Sequence, residues 1–434
     1  MTVMKAAQDC SVLVITPRRS IAIEVVSMLR DFLKLGRVSV DFADNGHALT
    51  RVKGKVVRVV TSSQLLAALT QHDPKTPLTG LNLVVGESLE HLDPVYELAI
   101  SLLRYATQRQ PTRFVGFSNS LHDPADLAEW LDVDPCALHS FRPSDRDQAL
   151  TFSTQPFTIP HSSSLFKAMA RPAHAAIKLG DSRETAIVFV ASRYQCRTVA
   201  LDLLTQCSLE SETKRGYLSP DISEDDLENQ LMRLQDPALH DFVSRGVGFL
   251  HPGISKPDRN LMLELYADGV IRVFIVPRES CWTLPVRASV VVVMGAQYSH
   301  SGSDSSERHI RDYELAELVQ MQGRAVRHGS TGHFHLFCQS ETRDTFTRFL
   351  NEGLPLESRL LETQDLEDWY KGQRSKGWIA DRQQAVDALS FTFLARRVVS
   401  NPAYYDMSGV SLEASLSRIV DNLEARLTTE PRIP

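Results

Sequence analysis

Long apolar runs are missing from this chain of 434 residues. No stretch approaches the ~20 consecutive apolar residues that a bilayer-spanning helix needs, so no membrane span is expected. Met1 to Cys10 holds one lysine and no apolar centre, and is not expected to act as a secretory signal. Cysteine is scarce. The six residues Cys10, Cys136, Cys196, Cys207, Cys281 and Cys338 form no Cys-x-x-Cys pair and keep no regular spacing. That pattern speaks against a zinc site and for the reduced, buried thiols of a cytosolic or nuclear protein. An excess of positive charge is absent too: the formal net charge is −6, which argues against a strongly basic nucleic-acid binder while leaving room for a local basic groove. Aromatic and basic residues are not interleaved as in a base-stacking platform, and no short-period repeat is present.

What the chain does contain is 43% apolar and 23% charged residues, a soluble globular composition, at a length suited to two or three domains. Short valine- and isoleucine-rich runs alternate with amphipathic stretches. Ser11–Thr16, Lys55–Ser62, Leu81–Glu87 and Thr112–Ser118 read as strands buried on both faces, with helices over Ser20–Leu35 and Val95–Gln108. A polar segment from about Pro143 to Ser164 separates these from a second series. There Ala186–Ala191, Gly246–Leu250, Ile271–Val276, Ser289–Met294 and His333–Cys338 read as strands, and Arg193–Cys207, Lys256–Ala267 and Asp312–Arg327 as helices. Ser299–Ser306 reads as an exposed loop. Beyond Pro355 only helical periodicity remains, over Asp381–Ser400 and Leu412–Leu427, with Asn401-Pro402 as a break. The fold class is therefore α/β: two tandem doubly wound parallel-sheet domains, 1–150 and 151–354, then a small helical module, 355–434. Ligands of such sheets bind at the carboxyl ends of the strands.

The segment Gln320-Met-Gln-Gly-Arg324-Ala-Val-Arg327 closes a helix expected over Asp312–His328. Arginines three residues apart share one helical face and can hold two phosphate oxygens, although a solvated basic helix end would also satisfy the dipole. The segment resembles motif VI of superfamily-two helicases, Q-x-x-G-R-A-G-R. Ile187–Arg193 resembles motif IV, Gly246–Gly253 the strand that follows it, and Val276–Trp282 falls where motif V lies. Phe349–Ser358 is similar to the connector into a winged-helix domain, and Asp387–Arg397 with Asn401-Pro-Ala-Tyr404-Tyr405 to the long signature inside it. Together these resemble the large superkiller-like DExH RNA helicases with tandem cassettes, whose members include spliceosomal and ASC-1 complex enzymes. Ser192–Cys207, Ser280-Cys281-Trp282 and Phe117–Leu121 look most like the degenerate C-terminal cassette. The resemblance implies two RecA-like domains followed by a winged-helix module.

ATP hydrolysis on this fold requires a glycine-rich phosphate loop, an Asp-Glu pair for metal and water, and an arginine finger. The chain has no G-x-x-x-x-G-K-(S/T) and starts at a motif Ia-like Val14-Ile-Thr-Pro17. It is expected to be a fragment, incomplete at its N-terminus and ending in or just after the winged-helix module. At the motif II position Gly86-Glu87-Ser88-Leu89 stands for Asp-Glu-x-His, so Glu87 lacks its metal partner and reads equally as a strand-end carboxylate. Motif III is Ser118-Asn119-Ser120, a mild change. Thr283 and Pro285 replace the glycine and asparagine of motif V, and Val326 the second glycine of motif VI. Vestigial catalytic positions are thus Glu87, Gln320, Arg324 and Arg327. Of these Gln320, Arg324 and Arg327 could touch nucleotide; ATP would bind weakly at most, and Mg²⁺ is not expected. Arg18, Thr61, Arg193 and Thr283 fall where the family meets the sugar–phosphate backbone, though surface or capping roles would explain them as well. His174 and His251 read as satisfied core histidines, and Trp130 and Trp282 as packing residues. The implied function is a helicase-like pseudo-ATPase cassette, a nuclear interaction and regulatory module in pre-mRNA splicing. Implied partners are spliceosomal proteins, among them the Jab/MPN domain of the large scaffold protein, a neighbouring active cassette, and RNA. The alternative is a fragment of an active ATP-dependent RNA helicase of the same family.

Overall fold

Valine builds the first sheet. The computed structural model describes residues 10–33, 38–42, 49, 54–73, 76, 78, 80–146, 149–179, 184–210, 215–301, 308–325 and 329–429. Strands β1 (Cys10–Thr16), β2 (Ser39–Phe42), β3 (Lys55–Thr61), β4 (Leu81–Gly86) and β5 (Arg113–Gly116) pair in parallel in the order β2-β3-β1-β4-β5. Branched side chains suit a pleat covered on both faces, and β1 and β3 are buried almost throughout. Helices α1 (Arg19–Leu33), α2 (Ser62–Thr70), α3 (Pro94–Thr107) and α4 (Ala125–Trp130) follow β1, β3, β4 and β5. Asp93 starts α3 by accepting the Tyr96 N–H at 2.7 Å, with Pro94 in the first turn. The register sets Thr16 beside Thr61, Ile15 beside Gly86 and Gly86 beside Gly116, so the loops leaving these strands emerge together.

The second sheet has the order β6-β13-β10-β7-β9-β8 and is again parallel. In chain order come β6 (Leu150–Phe157), α5 (Ser163–Lys178), β7 (Ala186–Val190), α6 (Arg193–Glu210), β8 (Val247–Phe249), α7 (Lys256–Ala267), β9 (Val273–Pro277) and β10 (Val290–Met294). An antiparallel hairpin of β11 (Gln297–Ser301) and β12 (Arg308–Asp312), α8 (Leu315–Gly323), β13 (Gly332–Gln339) and α9 (Arg343–Glu352) complete it. Short helices at Glu224–Leu231 and His240–Val243 precede β8.

In the second unit three expectations change. The polar segment Pro143–Ser164 contains β6, whose eight residues all pair with β13; Ser153 and Pro156 dilute its apolar signal, and an edge strand tolerates proline. Ser299–Ser301 belongs to β11 rather than a loop, while residues 302–307 lie outside the described ones. The helix expected over Asp312–His328 runs only from Leu315 to Gly323: Asp312 ends β12, and the helix stops at a glycine, a poor helix former.

The remaining helices are α10 (Asp365–Ser375), α11 (Arg382–Leu389), α12 (Phe393–Ser400) and α13 (Leu412–Thr429). Asp381–Ser400 is thus two helices, because the Thr392 hydroxyl caps α12 by accepting the Ala395 N–H at 3.2 Å. The chain divides into two compact units, residues 1–142 with 353–434, and residues 143–352. The first division falls at Arg142 rather than 150, since β6 belongs to the second sheet. The C-terminal helices share a unit with the first sheet. There Trp130, fully buried, donates its indole N–H to the Phe391 carbonyl at 2.8 Å.

Candidate nucleotide and nucleic-acid site

Parallel topology brings Arg18, Thr61, Glu87 and Ser118 to the carboxyl edge of the first sheet, just past β1, β3, β4 and β5. Arg18 is exposed. Thr61 is not: it is 7% exposed, and its hydroxyl caps α2 by accepting the Gln64 N–H at 3.3 Å while Gln64 returns a bond to the Thr61 amide. The capping role weighed against phosphate contact is the one its geometry serves.

Gly86 ends β4 without a side-chain oxygen, and the space above it is taken. A Cβ at Gly86 would lie 3.0 Å from Leu89 Cδ2, and one at Gly116 would lie 2.6 Å from Leu89 Cδ1. Leu89 is completely buried. Its turn is set by Ser88 in the left-handed region (φ 58°) and by the Leu89 N–H bond to the Phe117 carbonyl at 2.9 Å. Glu87 is half-buried, and burial with the like charges of Glu90 and Glu24 pushes its carboxyl above the usual range. A divalent cation needs converging oxygens at this point. The residues present do not fit Mg²⁺. Among the described residues, no three His, Cys, Asp or Glu side chains gather so as to hold a metal.

Glu90, two positions past Ser88, carries the polar link that sequence reading missed. Its carboxylate accepts the Asn119 N–H at 3.1 Å and Asn119 Nδ2–H at 2.8 Å, joining the segment after β4 to that after β5. Burial raises the Glu90 carboxyl despite these bonds. The available signal was the pairing of Asn119 in the Ser-x-Ser segment with a carboxylate just beyond the altered motif II. His91 Nε2 lies 3.6 Å from Glu90, but burial and the nearby Arg18 charge push the imidazole down to about 4, so the approach is no ion pair at neutral pH.

In the second unit Arg193 and Thr283 follow the adjacent strands β7 and β9, and both are exposed. The Arg193 guanidinium lies over the Tyr194 ring at 4.9 Å and donates to its hydroxyl at 2.9 Å. Gln320 is half-buried on α8. Arg324 caps α8 instead of continuing it, and its guanidinium donates to the Cys281 carbonyl at 3.0 Å. Arg327, the second arginine expected on that helical face, lies outside the described residues. A second tie joins the same segments. Arg278 donates to Glu317 at 2.6 Å and stacks 3.7 Å above the Tyr298 ring. Neither residue was singled out from the sequence; partners 39 positions apart leave no local pattern. His174 is satisfied by the Tyr217 hydroxyl at 2.5 Å and Glu210 at 3.3 Å, and His251 Nδ1 accepts the Gly253 N–H at 3.1 Å. No helix among the described residues is long and apolar enough to cross a membrane.

Two parallel sheets with these loops at their carboxyl edges, followed by a helical module, define a helicase fold of paired RecA-like domains. Crystal structures of the Escherichia coli DExH-box NTPase HrpB and DEAH/RHA helicase HrpB share it. The first aligns with a TM-score of 0.56 at 16% identity over 87% of this chain and 41% of that one. The second aligns at 0.53 and 14% identity over 98% and 55%. Residues 357–430 match the winged helix-turn-helix domain family of the 200 kDa small nuclear ribonucleoprotein helicase. The U5 small nuclear ribonucleoprotein 200 kDa helicases of Drosophila melanogaster and Homo sapiens are each 34% identical over 79% of this chain. The pre-mRNA-splicing factor brr2 of Schizosaccharomyces pombe is 34% identical over 77%. Over about four fifths of its length the chain is thus similar to these spliceosomal RNA helicases. It spans about 16% of the length of the curated relatives it matches.

Proposed function

We propose that the chain is a helicase-like cassette that does not turn over ATP, and that it serves a splicing RNA helicase as an interaction and regulatory module. It corresponds to the degenerate C-terminal cassette of these relatives. It works in the nucleus beside an active cassette, docking spliceosomal proteins that include the Jab/MPN domain of the large scaffold protein. The observation that carries this reading is Leu89, which fills the space above Gly86 where the family holds a metal-binding carboxylate. Metal and phosphate-loop contributions are each worth several kcal/mol of transition-state stabilisation, so losing the metal site costs decades in rate. Arg324 gives further support, because its guanidinium is engaged by the Cys281 carbonyl. Any ATP held through Gln320, Arg324 and Arg327 is a weak structural ligand. RNA contacts through Arg18, Arg193 and Thr283 are secondary in this reading.

Titration calorimetry with ATP·Mg²⁺, a steady-state phosphate-release assay with RNA, and capture by the scaffold domain test it together. The expected result is capture without Mg²⁺-dependent turnover. Steady phosphate release would instead establish the active-helicase alternative.

A further inference from the structure

Where α2 and α3 face α10 and α11, the first unit holds a partly open cavity of about 200 Å³. Its wall carries the rings of His72, Tyr105, Trp369 and Trp378 and the amides of Gln373 and Gln384; among the described residues no Asp, Glu, Lys or Arg lines it. An apolar cavity of ~150 Å³ already holds a benzene ring and stays dry. This one has room for a second ring and is not purely apolar.

The two amides differ from ordinary packing residues. Gln373 is 4% exposed, and its main-chain carbonyl receives the Trp378 and Ile379 N–H groups, yet its side-chain amide hydrogen-bonds no described residue. That amide lines the pocket, so its donor and acceptor are offered to whatever occupies it. Gln384 accepts the Ala380 N–H through Oε1 at 3.0 Å, which leaves its amide hydrogens as donors. Lys376, the nearby cation, is already engaged: it donates to the Thr70 carbonyl at 2.6 Å and to Gln71 Oε1 at 3.3 Å, and lies 4.7 Å over the Trp378 ring. A charged guest would find no counter-ion in the wall. A flat neutral one finds aromatic walls, a donor–acceptor amide and further N–H donors.

We propose that this cavity binds a neutral, fused heteroaromatic ring with donor and acceptor atoms along one edge, of the purine-base class. Such a guest bridges the C-terminal helices to α2 and α3, so its binding raises the melting temperature of this unit.

Adenine is the probe, with indole as a ring of like size lacking the acceptor edge and benzoate as a charged ring. Binding is read by calorimetry and by tryptophan fluorescence, since Trp369 and Trp378 line the site. Adenine is expected to bind at least tenfold more tightly than indole, and benzoate not detectably. Gln373→Leu, close in volume and free of the unanswered amide, should weaken adenine at least tenfold, leave indole unchanged and keep the fold. Ala388→Leu, which fills the cavity, should abolish both; should that variant fail to fold, Gln373→Leu carries the test. A single-stranded oligoadenylate that binds more tightly than adenine would assign the base to a strand, and equal affinity would assign it to a free molecule. Failure of adenine to bind, or adenine binding that survives Gln373→Leu unchanged, overturns the proposal and leaves the cavity to water.

Discussion

Two groups of carboxylates in the first unit meet opposite fates. Along the seam between α3, α4 and the C-terminal helices, every buried acid is answered. Glu97, fully buried, accepts the Ser358 hydroxyl at 2.7 Å and the Leu394 N–H at 2.8 Å. Glu357 receives Arg397 in bidentate fashion, Asn401 Nδ2–H at 2.8 Å and the Tyr405 hydroxyl at 2.9 Å. Asp126 takes the other arm of Arg397 and the Ser400 hydroxyl at 2.7 Å. At the carboxyl edge of the sheet, by contrast, Glu87 is raised by burial first and then by the like charges of Glu90 and Glu24, and a leucine fills the neighbouring space. The acids at the seam fasten a helical module to a sheet; at the carboxyl edge Glu90 is bonded to Asn119 while Glu87 lies beside like charges.

The sharpest way to break that contrast is Arg397→Ala. It would strand Glu357 and Asp126, whose side chains are 20% and 13% exposed. Breaking a buried pair from one side costs about 3–5 kcal/mol, to be read as a fall in the urea midpoint. A loss below ~1 kcal/mol would reduce the seam to the rank of a surface ion pair. The next effect is a pH slope. Burial, opposed by the Ser358, Leu394 and Phe393 bonds, raises the Glu97 carboxyl from 4.5 to about 7. A folded value above the unfolded one means the native state holds the proton more tightly. The stabilisation is therefore complete below 4.5 and is lost as pH rises through 7, a difference on the order of 3 kcal/mol. Glu97→Gln should flatten unfolding free energy against pH in that window, and a slope that persists would assign it elsewhere. Glu357, lowered overall because its Arg397, Asn401 and Tyr405 bonds outweigh burial, acts oppositely: its share is present above 4.5 and fades below.

The strands of both sheets were legible because a parallel sheet covered on both faces writes itself as unbroken valine and isoleucine, as in Val290–Met294. β6 escaped because an edge strand can carry Ser153, Gln155 and Pro156 at no cost to a core. The altered motif II was legible from Gly86 alone. What replaced it was not, since Leu89 acts by filling space between two glycines on neighbouring strands, and Glu90 by reaching Asn119 on the next loop. The Arg324 bond to the Cys281 carbonyl was not legible for a related reason: it depends on the helix ending at Gly323 and on a partner 43 positions away.

Two substitutions at the carboxyl edge sharpen the comparison further. Gly86→Asp restores the missing acid but drives its Cβ to 3.0 Å from Leu89. Overpacking of this kind costs about 1–3 kcal/mol, and no Mg²⁺-dependent phosphate release should follow; release in this single variant would mean that the edge still fits a metal. Thr61→Ala carries the smallest effect and separates two readings of one hydroxyl. If it caps α2, its loss costs about 1 kcal/mol, and Thr61→Ser, which keeps the oxygen, recovers most of it. If it grips a sugar–phosphate backbone instead, Thr61→Ala lowers affinity for a single-stranded RNA while the melting temperature stays put. The 7% exposure of Thr61 and its reciprocal bonds with Gln64 set the expectation: the melt moves and the RNA isotherm does not.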